Sequence, residues 1–345
     1  MARLPLYDFA QRYGVLYPFV GAGMAFADST TALAIAVCKA GGIGTLAVGL
    51  IPAAALRERI REIKQATDRP FNINFITFLA KEEQLQVCIE ENVPIVSFHW
   101  GRPPVHMLLS LREAGIKVWE QVGSVEDACR AATDGMDVII VQGLEAGGPN
   151  FATLPTFVLV PMVVEAVWPT PVLAAGGITT GTQVAAALCL GASGVWVGTR
   201  LLASYEAYIH PDYKERLVSS SGTDTCLTSI FGPEWRHFNP MRVLKNGVAL
   251  SNTGREDEVP AARSNEGVNG KTMWISEEIE LQRFSSFLPM PSTESNLEEI
   301  PLLAGQGVGL ITNIQSVSDI VAGMMKEARK ANHYVFQVAE KWQVE

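Results

Sequence analysis

The sequence predicts an α/β protein built as a (β/α)8 TIM barrel, with a smaller subdomain inserted after the eighth strand. Three observations lead there. Between residues 18 and 204, eight short apolar or β-branched runs alternate with helix-like segments. After residue 204 that beat stops, and Pro, Ser, Asn and charge clusters fill the chain to about residue 300. Glycine-rich turns close the sixth, seventh and eighth runs, the end at which barrels of this kind bind ligands.

The runs are 19–21, 42–45, 71–76, 94–98, 117–120, 138–141, 172–174 and 194–197. The segments between them, 30–40, 52–67, 81–91, 104–114, 125–133, 154–167 and 180–190, are each long enough for a crossover helix. Parallel neighbours need such crossovers, so the eight strands pair in parallel. An open doubly wound sheet competes with this reading and expects an early G-x-G-x-x-G. Here Gly21-Ala22-Gly23 is followed by Phe26 at the third glycine's place, a poor match. The 345 residues accommodate a barrel of roughly 250 plus an insertion. The expected division is 1–204 with 301–345 as the barrel, and 205–300 as a subdomain or lid over its mouth, since so long a structureless stretch is unusual in a compact domain. A closing helix is expected over about 316–331.

Composition narrows the function classes. Hydrophobic residues make up 48% and charged residues 18%, which supplies a large core. The net charge is -9 with no Lys/Arg block, so nucleic acid is not expected as a partner. No run of 18 apolar residues and no signal-like apolar stretch within residues 1–17 occur, so no membrane partner is expected and a cytoplasmic setting is. The five cysteines, Cys38, Cys88, Cys129, Cys189 and Cys226, are odd in number and scattered, so neither a disulfide framework nor a metal site is expected. The first four lie in helix-like apolar contexts, where burial as small hydrophobes is the expected role.

The loops after the strands carry the chemistry. Strand 7 ends in Ala174-Ala175-Gly176-Gly177-Ile178 and strand 8 in Trp196-Val197-Gly198-Thr199-Arg200. Glycines there let amides face a phosphate, Thr199 adds a hydroxyl, and a following helix N-terminus adds its dipole. Strand 6 ends in Gln142-Gly143-Leu144-Glu145-Ala146-Gly147-Gly148-Pro149-Asn150, a loop able to pass under a flat ring. Gln142 can bond a heterocycle edge, and Glu145 can cap or orient its neighbours. Ser97 and Thr45 at strand ends, and Glu120 with Gln121, are further polar candidates.

Taken together these pieces resemble the nitronate monooxygenase (2-nitropropane dioxygenase) family, itself similar to the FMN-containing enoyl-acyl-carrier-protein reductases. The resemblance rests on Gly21-Ala22-Gly23-Met24, Ala40-Gly41-Gly42-Ile43-Gly44, 68–74, Val96-Ser97-Phe98-His99-Trp100-Gly101, 142–148, Ala175-Gly176-Gly177-Ile178, Gly198-Thr199-Arg200 and Ala304-Gly305-Gln306-Gly307-Val308-Gly309. It implies non-covalent FMN. By carry-over, Gly21, Ala22, Gly23 and Met24 lie against the ring, and Asn74 and Gln142 bond its polar edge. Gly147, Gly148, Gly176, Gly177, Gly198 and Thr199 hold the phosphate end, and Gln306 and Gly307 close over it. Arg242 and Lys245, also similar to the family, are expected to be structural or rim charges.

One position departs from the family. Where its members place a histidine after Glu-Ala-Gly-Gly, this chain has Pro149. Proline offers no group for acid–base work. His99, just beyond strand 4, is the substitute catalytic candidate. His106, His210, His237 and His333 are expected to be structural, His237 lying in a possible lid segment with Trp235 and Phe238. The resemblance implies a flavin-dependent oxidoreductase that oxidises alkyl nitronates with O2. The alternatives are an NAD(P)H-dependent FMN reductase acting on a quinone or enoyl thioester, and a non-catalytic flavin-binding protein. The expected partners are a small-molecule substrate and O2, with NAD(P)H in the reductase case. Homo-oligomerisation is left open.

Overall fold

The computed structural model describes residues 8–27, 29–232, 239–258, 267–275 and 277–342. His237, Trp235 and Phe238 lie outside them. The eight barrel strands are β1 (Phe19–Gly21), β2 (Gly44–Ala47), β3 (Phe71–Ile76), β4 (Ile95–His99), β5 (Lys117–Val122), β6 (Val138–Gln142), β7 (Val172–Ala175) and β8 (Gly194–Val197). All pair in parallel, running β1-β8-β7-β6-β5-β4-β3-β2 around the sheet. A parallel bridge between Val20 and Ile43 closes the ring, with the Gly21 amide donating to Ile43 O and the Ile43 amide to Phe19 O. The predicted barrel is the observed one; three strands fall where the sequence reading puts them, and the other five differ at a boundary by one or two residues.

Nearly every strand residue is buried, as expected of parallel strands covered on both faces. The faces are told apart by parity. Val138 and Ile140 point into the barrel beside Ile95, Trp119, Leu173 and Trp196. Ile139 and Val141 point outward into the layer under the helices, with Val96, Phe98, Val118 and Val195. A short helix, Phe9–Tyr13, plugs the end of the barrel opposite the loops discussed below. Its Tyr13 hydroxyl accepts from the Trp119 indole at 3.0 Å, and Phe9 packs 5.9 Å from that ring.

After β8 the chain forms a helix, Pro211–Ser219, then strands Thr225–Thr228 and Met241–Leu244. Met241 and Arg242 pair antiparallel with Pro149 and Gly148 in the loop after β6. A second small sheet joins Val268–Trp274, Glu277–Gln282 and Glu294–Ser295. The chain ends in the helix Val317–Ala339, longer than the predicted one, packed on the helix Gly181–Cys189 and capped by Ser316, whose hydroxyl accepts from the Asp319 amide. No helix among the described residues is long and apolar enough to cross a membrane.

The cysteine expectation needs a correction. Cys38 and Cys88 are buried, but Cys129 and Cys189 are exposed on the solvent side of their helices. An apolar sequence neighbourhood does not tell which face of a barrel helix a residue occupies.

Candidate active site

A cavity of about 230 Å³ opens at the C-terminal ends of the strands, between the barrel and the inserted segment. Inward parity places Asn74 of β3, His99 of β4, Gln121 of β5, Gln142 of β6 and Ala175 of β7 on its inner wall. The loops after β1, β6, β7 and β8 add Ala22, Gly23 and Met24, then Gly147, Gly148 and Pro149, then Gly176 and Gly177, then Gly198 and Thr199. Gly305 and Gly307 close it from the return segment.

Two of the residues that the family resemblance assigned to the flavin, Gly21 and Gln306, are not on the wall. Gly21 has outward parity, and a side chain there would meet Leu201 and Val37 in the outer layer. Gln306 is exposed, and its amide donates to Glu145 O at 2.9 Å. Its neighbours Gly305 and Gly307 take the position expected of it.

The glycine loops are tight. Gly176 and Gly177 both adopt left-handed φ, 103° and 73°, a pair of turns that side-chain-bearing residues rarely make. A methyl group at Gly147 would sit 2.5 Å from the Gly305 nitrogen, so this loop and the return segment touch backbone to backbone. The Thr199 hydroxyl accepts from the Gly305 amide at 3.0 Å, which fastens the same segment from the β8 side.

Polar side chains beneath the wall form a network. Asn72 Nδ2 and Asn74 Nδ2 both donate to Ser97 Oγ at 2.8 Å, and Asn72 also donates to Thr45. Ser97 and Thr45 therefore support the site rather than line it. Asn74 Oδ1 is buried without a hydrogen-bond partner among the described residues, and so is His99 Nδ1. Buried polar atoms are ordinarily satisfied, so unpartnered ones on a cavity wall mark places for a ligand. Gln142 Nε2 donates to Pro149 O at 3.3 Å.

His99 sits edge-on to Trp100, ring centres 4.1 Å apart. Burial pushes its pKa down to about 3, only partly offset by the Phe75 backbone, so the imidazole is neutral near pH 7. Among the described residues it is the one ionisable side chain on the wall. Glu145 points away: its Oε2 accepts from the Thr156 amide and hydroxyl, at 2.8 and 3.0 Å, and so caps the helix Thr156–Val167. Glu120 has outward parity and pairs with Arg130, and burial still raises its pKa. Arg242 is buried, donating to Leu144 O at 3.1 Å and Thr225 Oγ1 at 3.4 Å, while Lys245 donates to Thr223 O. His106 is exposed beside Glu82, His210 accepts from the Asp212 amide, and His333 contacts Gln337 on the surface. Among the described residues no group of three His, Cys, Asp or Glu is placed to hold a metal ion.

Sequence reasoning missed two features. Asn150, beside Pro149, gathers the loop after β6: its Nδ2 donates to the carbonyls of Gly143, Leu144 and Ala146, each at 3.1 Å, and its Oδ1 accepts from the Ala152 amide. An Asn at the end of a glycine-rich loop was the available signal. The other is an aromatic cluster of Phe26, Trp274 and Phe287 on the outer wall, joined from segments nearly 250 residues apart, for which no local signal exists.

Fold and site together define a (β/α)8 enzyme whose ligand cavity is made chiefly of backbone and apolar side chains at the strand ends. The nitronate monooxygenase family model matches residues 10–84 and 77–327, and the chain belongs to that family. It is 34% identical over 263 residues to the nitronate monooxygenase of Paraburkholderia phytofirmans, covering 63% of this chain and 71% of that one. It is 30% identical over 342 residues to an octahydro-indene-carboxyl-CoA dehydrogenase of Mycobacterium tuberculosis, covering 91% and 94%. The solved structure of FabK from Thermotoga maritima superposes with a TM-score of 0.77 at 33% identity, covering 95% of this chain and 98% of that one.

Proposed function

We propose that the protein holds FMN in this cavity and oxidises alkyl nitronates, with molecular oxygen as second substrate. The observation that carries the choice of substrate is the wall's protonation chemistry: its one ionisable side chain among the described residues, His99, is buried and neutral. A general base works best with a pKa near the working pH. His99 lies far below it, and Pro149, where the family resemblance expects a histidine, has nothing to titrate. A nitronate has already lost its α-proton and asks for no base.

The residues present fit a flavin mononucleotide. Gly147, Gly176, Gly177 and Gly198 present backbone rather than side chain to the cavity, and Asn74 Oδ1 and His99 Nδ1 have no hydrogen-bond partner among the described residues. Gly176, Gly177, Gly198 and Thr199, with Gly147 and Gly148, would hold the phosphate end. Ala22, Gly23 and Met24 would lie along the ring, Asn74 and Gln142 would bond its polar edge, and Gly305 and Gly307 would close over it. When bound, FMN supplies the electron-accepting chemistry. The protein's part is to orient both molecules, keep water out with its apolar wall, and leave the substrate's proton inventory unchanged.

A second reading has one observation in its favour. The matches to FabK and to the carboxyl-CoA dehydrogenase run over nearly whole chains at 33% and 30% identity. On that reading the protein is an NAD(P)H-dependent FMN reductase of an enoyl thioester or quinone. Against it, among the described residues no Lys or Arg lines the cavity to meet a nicotinamide dinucleotide's phosphates.

Anaerobic rapid mixing with ethyl nitronate, and separately with NADH and NADPH, tests the choice through the flavin absorbance. Nitronate alone is expected to reduce the flavin, with nicotinamides reacting slowly. Fast bleaching by NADH or NADPH assigns the reductase instead. A protein that carries no flavin and takes up none ends both readings.

A further inference from the structure

The outer wall of the cavity is built from side chains the strand ends do not supply. Phe26, in the loop after β1, packs against Trp274 and Phe287 of the inserted segment, with ring centres 5.1 and 4.6 Å away. Trp274 and Phe287 stand edge-on to each other at 6.0 Å. Phe26 holds a φ of 70°, a conformation bulky residues rarely adopt, so its ring is fixed toward the other two at some local cost. All three rings line the cavity, and Leu50, half exposed, extends the apolar rim. Among the described residues no Asp, Glu, Lys or Arg does so.

Such a wall treats two kinds of substrate tail differently. An apolar or aromatic group gains area burial and ring contacts against it. A carboxylate finds no Lys or Arg to pair with among the described residues of this wall, and loses its water uncompensated there. Resting on the nitronate reading, we propose that the site selects nitronates whose carbon bears an apolar or aromatic group and rejects those carrying an added carboxylate, with Phe26, Trp274 and Phe287 as the selecting element.

The test compares kcat/KM of the flavin-loaded protein for nitropentane nitronate and for the nitronate of a nitrobutanoate of matched length. A preference for the uncharged tail on the order of 100-fold is expected. Equal values, or a preference for the carboxylate, overturn the proposal. Trp274→Ala is expected to lower kcat/KM for phenylnitromethane nitronate about tenfold more than for ethyl nitronate, whereas Trp274→Phe, which keeps a ring, holds the wild-type ratio. A ratio unmoved by Trp274→Ala in a protein that melts normally removes the cluster's selecting role. Turnover of ethyl nitronate checks the underlying reading by itself. If it fails, selection is judged without chemistry, by quenching of tryptophan fluorescence on titration with benzamide and with benzoate. Benzamide is expected to bind at least about tenfold more tightly; benzoate binding as well, or no saturable benzamide binding, overturns the proposal.

Discussion

The inner and outer walls of the cavity are made by opposite means. The inner wall is backbone: glycine turns after β6, β7 and β8, with a few amide side chains whose direction the strand pleat dictates. The outer wall is side chain: three rings and a leucine, two of the rings from the inserted segment. Backbone recognition tolerates almost no change at its own positions, because the atom that must be absent is the first side-chain carbon. A side-chain wall can be altered piece by piece. The contrast assigns what is common to many substrates to the inner wall, and what distinguishes them to the outer one.

The largest effect is expected where the inner wall is tightest. Gly147→Ala drives a methyl group against the Gly305 nitrogen and the Ala304 carbonyl carbon. It should lower flavin occupancy by roughly tenfold or more, read from the ratio of flavin to protein absorbance after purification. Full occupancy would show that the loop can retreat and that the inner wall is not backbone-limited. Next comes Asn150→Ala, which strips the carbonyls of Gly143, Leu144 and Ala146 of their shared donor. Chemical denaturation should report a loss of about 2–3 kcal/mol.

His99 gives a pH-dependent version of the same contrast. Its folded pKa of about 3 lies below the 6.5 of the free imidazole, so the unfolded chain binds the proton more readily. Stability from this group is full above pH 6.5 and is lost as pH falls toward 3. At pH 5 the loss is about 2 kcal/mol relative to neutral pH. Compared with wild type, His99→Gln should show a shallower loss between pH 7 and 5 in urea titrations, and identical slopes would deny His99 this role. Smaller still is Glu145→Ala, which uncaps the helix Thr156–Val167 and should cost about 1 kcal/mol by thermal melting. At the outer wall, Leu50→Ser should change stability by less than about 0.5 kcal/mol, because that side chain is already half in water. A large loss there would mean the outer wall carries the fold as well.

The barrel was legible because its signal is local and repeated: each strand announces itself over a few residues, and the helices fill the gaps. The inner wall was legible for a related reason, since glycines at strand ends have few other uses. Parity would have sharpened it further. Counting in twos along β1 puts Ala22 inside and Gly21 outside, and along β5 puts Gln121 inside and Glu120 outside with Arg130. Gln306 was misplaced by one residue because a 3-10 turn, Gln306–Leu310, has no such simple alternation. The outer wall stayed illegible. Phe26 and Trp274 meet only because the inserted segment folds back over the strand ends, and nothing near either residue says so.

The pairing of Gly148 and Pro149 with Arg242 and Met241 has a consequence in time. A ribosome delivers the glycine loop after β6 nearly a hundred residues before the strand that fastens it. Until that strand emerges, the loop is held only by earlier parts of the chain, Asn150, Gln142 and the Glu145–Thr156 contact among them, and a chain stopped at residue 204 would own eight strands and an unfinished pocket. The ligand cavity is thus among the last parts of the molecule to be completed during synthesis, after all eight barrel strands have been made.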